Sequence, residues 1–513
     1  MSNEADTAAP APQATRSLSA QTAIGAAWLV GWRMVSRVLG LASTLILARL
    51  LAPNDFGVVA MAATFAGAVD ALSELGLQDA LVRRVSEGRE LYNTAFTLQL
   101  GRALLTSLVI ALAAPGASLW FNEPRLAPIL FVLAAVSFMS GLENIGIIEF
   151  RRAMRFEMQV RLLVVPRLIG FAATISLAIL LQNYWALIVG IAVSRVARTV
   201  MTYVVHPYRP SLGLAGWREL AGFSFWTWAT CLAALVWERI DPFILGPLVG
   251  SAQLGVYLLA LEIAILPISE LVAPAADSLF AGFSAAQKRG QSSAHHAPLV
   301  IAVLIMCIMP LIITISCASG YVVAALLGPK WTDASALIAI LAWLCLFNPV
   351  SYVCNAVLVS HNFVQRTFIA RVIASAVKLA VLLVVTSQTS RLDIIAAAVT
   401  LCVSVECCAY LVLLNGIGMS ALKTMAGSIG RTVMAGGGVV AILYEAGLAW
   451  NEVTLPSLLA FLQGAAIGAL TLALYLALLT TIWFLCGRPV GAETRVVELS
   501  ADHLRAALTR IRR

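Results

Sequence analysis

Charge is what this sequence has least of. Lys, Arg, Asp and Glu make up 12% of its 513 residues, about half of the ~25% usual in soluble domains. Hydrophobic residues make up 60%. Uncharged stretches such as Leu168–Ser194, Ala297–Pro329 and Val453–Gly487 exceed the ~20 residues that a spanning helix requires. None alternates apolar with polar residues as the ~10-residue strands of a membrane barrel do. Since backbone groups in lipid must be satisfied within helices or a closed barrel, the chain is expected to be an all-α integral membrane protein.

Other absences limit the chemistry. There are five histidines and nine cysteines, but no CxxC, no HExxH and no Gly-rich phosphate loop. His295 and His296 are adjacent, apart from any Ser/Asp or Cys arrangement. The cysteines all lie in apolar segments and read as small buried hydrophobes. Neither a metal nor a cofactor is expected, and the chain is not read as an enzyme. The first twenty residues lack a basic start and an apolar core, so they read as a disordered cytoplasmic tail and not as a signal peptide.

What is present is a series of apolar segments, fourteen between residues 24 and 486, of which the thirteenth (432–448) is the shortest. With the N-terminus inside, the inner connections hold Arg83, Arg84 and Arg89; Arg151, Arg152 and Arg155; Arg209 and Arg218; Lys288 and Arg289; Arg366; Lys423 and Arg431. The outer connections hold only Arg125, Lys330 and Arg391. By the positive-inside rule both termini are cytoplasmic. The net charge of +8 is thereby assigned to anionic lipid headgroups, with no nucleic acid involved.

The two halves repeat one another. "LLAPNDFGVV" (50–59) aligns with "LVGSAQLGVY" (248–257), setting Gly57 against Gly255. The same offset sets Asp79 against Asp277, and "FNEPRLAPILFVLA" (121–134) resembles "GPKWTDASALIAILA" (328–342). Two pseudo-symmetric six-helix lobes around a central cavity follow, 21–210 and 211–418, with two further helices in 419–487 and a basic tail from 488.

These stretches, together with "LLGPKWTDA" and "ILGPLVGSAQLGVYLLA", resemble the polysaccharide-transporter branch of the multidrug/oligosaccharidyl-lipid/polysaccharide exporter superfamily. The similarity is greatest to flippases of the colanic-acid type and runs from about residue 20 to 415. The resemblance implies a bacterial inner-membrane flippase that moves undecaprenyl-diphosphate-linked oligosaccharides from the cytoplasmic to the periplasmic leaflet by alternating access. Its implied partners are that lipid-linked oligosaccharide, membrane lipids, a polysaccharide polymerase and a co-polymerase. A cation-coupled multidrug exporter of the same superfamily is the alternative. A polymerase or glycosyltransferase would need a long outer loop or a soluble domain, and every outer loop here is short.

Charges inside apolar segments are costly and mark function or pairing. Arg33 and Arg37 share a face of the first helix. In an antiparallel hairpin they fall at the depth of Asp70 and Glu74. Either the four neutralise one another, or an arginine faces the cavity and grips the diphosphate, for which its two-pronged fork is suited. Asp79 and Asp277 read as interfacial caps or as inter-lobe contacts on the closing side. In "WERIDPF", Glu238, Arg239 and Asp241 fall near the outer end of the seventh segment, with Trp237 as a belt residue; the trio is either an interfacial salt-bridge cluster or part of the substrate site. Glu262 and Glu270 share a stripe of the eighth and are candidates for carrying a coupling ion, H+ or Na+. Arg371, Lys378 and Glu406 are further inward candidates, with snorkelling to the headgroups the other option for Arg371. The loops around Glu123 and Lys330 are expected to tolerate change.

Overall fold

The computed structural model describes residues 18–73, 89–153, 155–215, 225–275, 297–361, 363–415, 421–489 and 491–495, and their regular structure is helical throughout. The first lobe contains α1 (Leu18–Leu50), α2 (Pro53–Leu72), α3 (Arg89–Trp120), α4 (Leu126–Gly141), α5 (Phe156–Leu181) and α6 (Trp185–Val205). The second contains α7 (Phe225–Ala264), α8 (Ala297–Cys317), α9 (Ala334–Leu341), α10 (Leu344–Ser360), α11 (Val364–Gln388) and α12 (Leu392–Asn415). Outside both, α13 (Ala421–Glu445) and α14 (Ser457–Leu485) pack on α8. Against the fourteen crossings that the apolar pattern predicts, ten described helices are long and apolar enough to cross a membrane, or eleven with α9 and α10, bent by 42°, as one span.

Local sequence places the breaks. Pro53 opens α2, where a missing N–H costs nothing. Gly250, at φ +77°, splits α7 into two helices, a conformation in which a side chain would be strained. The thirteenth segment begins earlier than its apolar run, at Ala421, because a charge does not end it. Arg431 is neutralised from outside the helix by Glu493, which it grips at 2.7 and 3.0 Å.

The repeat becomes a contact. At the end of the bundle that carries the loops at Ala52, Glu123, Asn183, Gly250 and Lys330 (the charge-poor end), α2 lies along α7. A Cβ on Gly57 would run into the carbonyl of Ser251, and one on Gly255 into the carbonyl of Pro53. Pro53 and Ser251 occupy the same place in the repeat, so each lobe offers the other the same glycine and the same carbonyl. Trp331, fully buried, donates its indole N–H to the Ala48 carbonyl at 2.7 Å and meets Phe56 edge-on at 5.3 Å. Arg49 reaches the carbonyls of Ala325 and Leu326 at 2.6 and 3.4 Å. These lie on a single π-helical turn, Val323–Leu327. One hydrophobic core joins the lobes here, with Met61 and Phe121 against Leu245 and Tyr257.

The loops expected to tolerate change belong to this clasp. Arg125 donates to both oxygens of Glu123 at 2.8 and 2.7 Å and to Asn54 at 3.1 Å. Ser251 of the other lobe donates to Glu123 at 3.1 Å and also bonds Asn54. Lys330 reaches only the Arg49 carbonyl, at 3.4 Å and exposed. Tolerance is therefore retained for Lys330 and withdrawn for Glu123.

A pH effect follows. The hydrogen bond from Arg125, ahead of the opposing effect of burial, holds the Glu123 carboxyl below its ordinary value of 4.5. A carboxyl depressed in the folded state adds stability that is complete above its unfolded pKa and is lost as pH falls through the folded one. Wild-type protein should therefore melt above Glu123→Gln at neutral pH, and the two melting curves should converge at pH values below about 4. A difference that is constant across the pH series would mean that the Glu123 charge is not what holds the clasp.

Candidate functional site

A helix rises 1.5 Å per residue, so depth below the charge-poor end can be counted along each chain segment. Arg37 lies ~18 Å below Arg49 on α1 and Arg167 ~21 Å below Leu181 on α5. On the same scale Arg198 lies ~20 Å below Trp185 on α6, and Glu262 ~17 Å below Ser251 on α7. Four charged side chains from four helices thus converge on one level. There the structure has two adjoining recesses of about 520 Å³ each, both lined by Gly40, Arg167 and Glu262. One extends to Thr174, Arg195 and Arg198, the other to Arg37, Ser269 and Glu270. Both lie below the closed clasp.

The arginines are held differently. Arg195 and Arg198 share one buried carboxylate, Glu143, at 3.4 and 3.0 Å. Arg198 uses its Nε for this, which leaves its terminal nitrogens for another ligand. Arg37 is ion-paired through Nε to Glu270 of the other lobe, and its terminal nitrogen donates to the Ser269 hydroxyl at 2.5 Å. Arg167 is exposed and has no carboxylate partner among the described residues. Its guanidinium lies over Gly40, one turn from Arg37, and a Cβ at Gly40 would stand 3.4 Å from it. Three arginines held in place and one free make a site for a multivalent anion.

Of the residues expected from sequence, the recesses bring together Arg37, Glu262 and Glu270. Of the proposed hairpin pairing, the described residues contain Arg37 and Asp70, and these two do not meet. Asp70 accepts from Ser137 at 3.0 Å within its own lobe. The reason is that α1 packs on α5 and not along α2, so depth on adjacent helices did not translate into contact. The Arg33 side chain and all of Glu74, Asp79, Asp277, His295 and His296 lie outside the described residues.

The "WERIDPF" cluster is corrected as well. Trp237 is buried and lies ~20 Å from Gly250, so it is no belt residue. Asp241 is paired with Lys378 at 2.7 Å, both with side chains 5% exposed. Lys378 also donates to the Trp237 carbonyl at 3.0 Å and stands 4.6 Å from the Trp237 ring centre. Arg371 does not snorkel, because it pairs with Glu406 at 2.9 Å. Glu238 is exposed, and Arg239 lies across from Gly67 of α2. Neither Glu238, Arg239 nor Asp241 lines the recesses.

Sequence reasoning missed Arg167, Arg195, Arg198 and Glu143, although a signal existed. The uncharged run Leu168–Ser194 is 27 residues long, and Arg167 and Arg195 bound it directly. The turn at Asn183–Tyr184 folds that run into a hairpin and returns its two ends to the same depth.

The model of the polysaccharide biosynthesis protein family matches residues 46–336, more than half of the chain. The chain belongs to that family. The matched span contains every cavity charge named above except Arg37. Two curated relatives are similar over part of the length. The chain is 24% identical over 322 residues to the succinoglycan biosynthesis transport protein ExoT of Rhizobium meliloti (strain 1021), covering 61% of this chain and 65% of that one. It is 22% identical over 351 residues to the lipopolysaccharide biosynthesis protein WzxC of Escherichia coli (strain K12), covering 66% and 70%. Among solved structures, the lipid II flippase MurJ in an inward closed conformation superposes with a TM-score of 0.68 at 12% identity, over 86% of this chain and 97% of that one. An inward-facing multidrug resistance MATE family transporter of the MOP superfamily superposes at 0.59 and 15% identity, over 75% and 94%. At these identities the likeness is one of fold.

Proposed function

We propose that this protein is a flippase of the bacterial inner membrane. Its cargo is an oligosaccharide repeat unit on undecaprenyl diphosphate, moved from the cytoplasmic to the periplasmic leaflet for polymerisation. The observation that carries this reading is the single level of Arg37, Arg167, Arg195 and Arg198 in a lobe-to-lobe cavity. A diphosphate needs several cationic donors close together, and guanidinium forks supply them. The names of the relatives, transport of succinoglycan and lipopolysaccharide biosynthesis, support a saccharide cargo. A cationic drug would meet four guanidiniums, which disfavours the exporter alternative. Alternating access between two lobes turns over without a bond being made or broken, so the protein is read as a transporter and not an enzyme. In this reading the clasp is the periplasmic gate, both termini are cytoplasmic, and a polymerase with its co-polymerase receives the unit. Glu262, beside Thr44 and Arg37, is the acid placed to take a coupling H+ or Na+.

Arg167 supplies the test. A hydrogen bond to a charged group contributes about 1.5–3 kcal/mol, so Arg167→Ala should lower polymer export at least about tenfold when normalised to protein in the membrane. Arg167→Lys should recover only part of it. Normal export by a stably inserted Arg167→Ala would remove the diphosphate site.

A further inference from the structure

Ion pairs inside the bundle divide by their access to water. Asp241–Lys378 has side chains 5% and 5% exposed, Arg371–Glu406 21% and 3%. Arg37 and Glu270 are 34% and 35% exposed, and both line a recess. A pair that opens onto a cavity can exchange partners; one sealed in the core cannot, because separating it leaves a bare charge in a dry interior. Arg37–Glu270 is also, among the described residues, the one ion pair that joins the two lobes.

The pair holds the guanidinium against two neighbouring oxygens, the seat that a phosphate would need. Arg37 meets two oxygens side by side: a terminal nitrogen donates to the Ser269 hydroxyl, and Nε is ion-paired with the Glu270 carboxylate, the two oxygens being themselves 3.1 Å apart. The chain produces this by a single π-helical turn, Ile268–Val272, which sets consecutive residues 269 and 270 on the same guanidinium. Such turns are rare and recur at functional sites. One turn along α1, over Gly40, Arg167 stands without a carboxylate.

We propose that Glu270 is an internal competitor for the phosphate seat on Arg37. The cargo's diphosphate docks first on the free Arg167 and then displaces Glu270 from Arg37. The inter-lobe ion pair is thereby broken only when cargo is present, so an empty cavity keeps its lobes tied. The inference rests on the diphosphate reading above and adds to it the order of events and the residue that is displaced.

The test is binding of farnesyl diphosphate, a soluble isoprenyl diphosphate, to the full-length protein in nanodiscs, with folding checked by thermal melting. Glu270→Gln keeps the shape of the side chain and removes the competing charge, and should bind the probe about tenfold more tightly than wild type. Arg37→Ala should bind more weakly, and adding Glu270→Gln to it should bring no gain, because the gain belongs to Arg37. If wild type fails to bind, or Arg167→Ala binds equally well, the diphosphate site itself is wrong. If Arg167→Ala weakens binding while folded Glu270→Gln binds no more tightly than wild type, the site stands and the exchange is overturned. A gain from Glu270→Gln that persists in the Arg37→Ala background also overturns it, since it would reflect only lower negative charge in the cavity.

Discussion

Alanine at Gly57 should stop export while leaving the protein folded in the membrane. The added Cβ would meet the Ser251 carbonyl well inside contact distance, and backbone is not a flexible obstacle that can swing aside. Overpacking of this kind costs about 1–3 kcal/mol, and here the cost falls on one state only, the one in which α2 and α7 touch. A differential of that size shifts a two-state equilibrium about 5- to 150-fold, away from closure at the charge-poor end. Each lobe separately should remain folded, since the clash lies between them. Gly255→Ala should reproduce the effect, because Gly255 meets Pro53 in the same way. Gly116→Ala on α3, whose Cβ would meet open space, serves as the control. Membrane-normalised export by Gly57→Ala equal to that of Gly116→Ala would show that this contact does not limit the transport cycle.

Lys378→Met should prevent the protein from accumulating. Removing one partner of a buried ion pair leaves an uncompensated charge, at a cost of about 3–5 kcal/mol. Asp241 is 3% exposed, and the remaining donor on it is the Tyr257 hydroxyl at 3.2 Å. Replacing both partners with apolar residues of similar volume, Asp241→Leu with Lys378→Met, should restore the protein level, because burying no charge costs less than burying one. Recovery of level and export together would assign the pair to the architecture of the second lobe. Recovery of level without export would assign it to transport. Normal accumulation and melting of Lys378→Met alone would contradict the buried-pair account.

The fate of individual residues marks where sequence reasoning stopped. Arg37, Glu262 and Glu270 could be nominated because a charge in an apolar segment is costly wherever it points. Their partners could not. Depth alone matches Arg37 with Asp70, yet helix neighbours in a bundle are chosen by packing, and α1 packs on α5. The apolar pattern sets Asp241 near the outer end of its segment, but the helix runs on to Gly250 before it breaks and Asp241 is buried against Lys378. Arg167 and Arg195 bound the uncharged run Leu168–Ser194 and are the most informative residues near it.

By itself the sequence determined a helical membrane protein, a duplicated pair of lobes and a family resemblance, because hydropathy, loop charge and repeat spacing are written along one dimension. The alignment of Gly57 with Gly255 was legible too, but not that each glycine would pack on the carbonyl at the start of the other's helix. Only the tertiary structure decided which charges meet. It paired Lys378 with Asp241 in the core of the second lobe, joined Arg37 to Glu270 across the lobes, and left Arg167 over Gly40 without a carboxylate. The physical reason is that an ion pair acts over a few ångströms between side chains, whereas the order of residues along a helix fixes only depth and face.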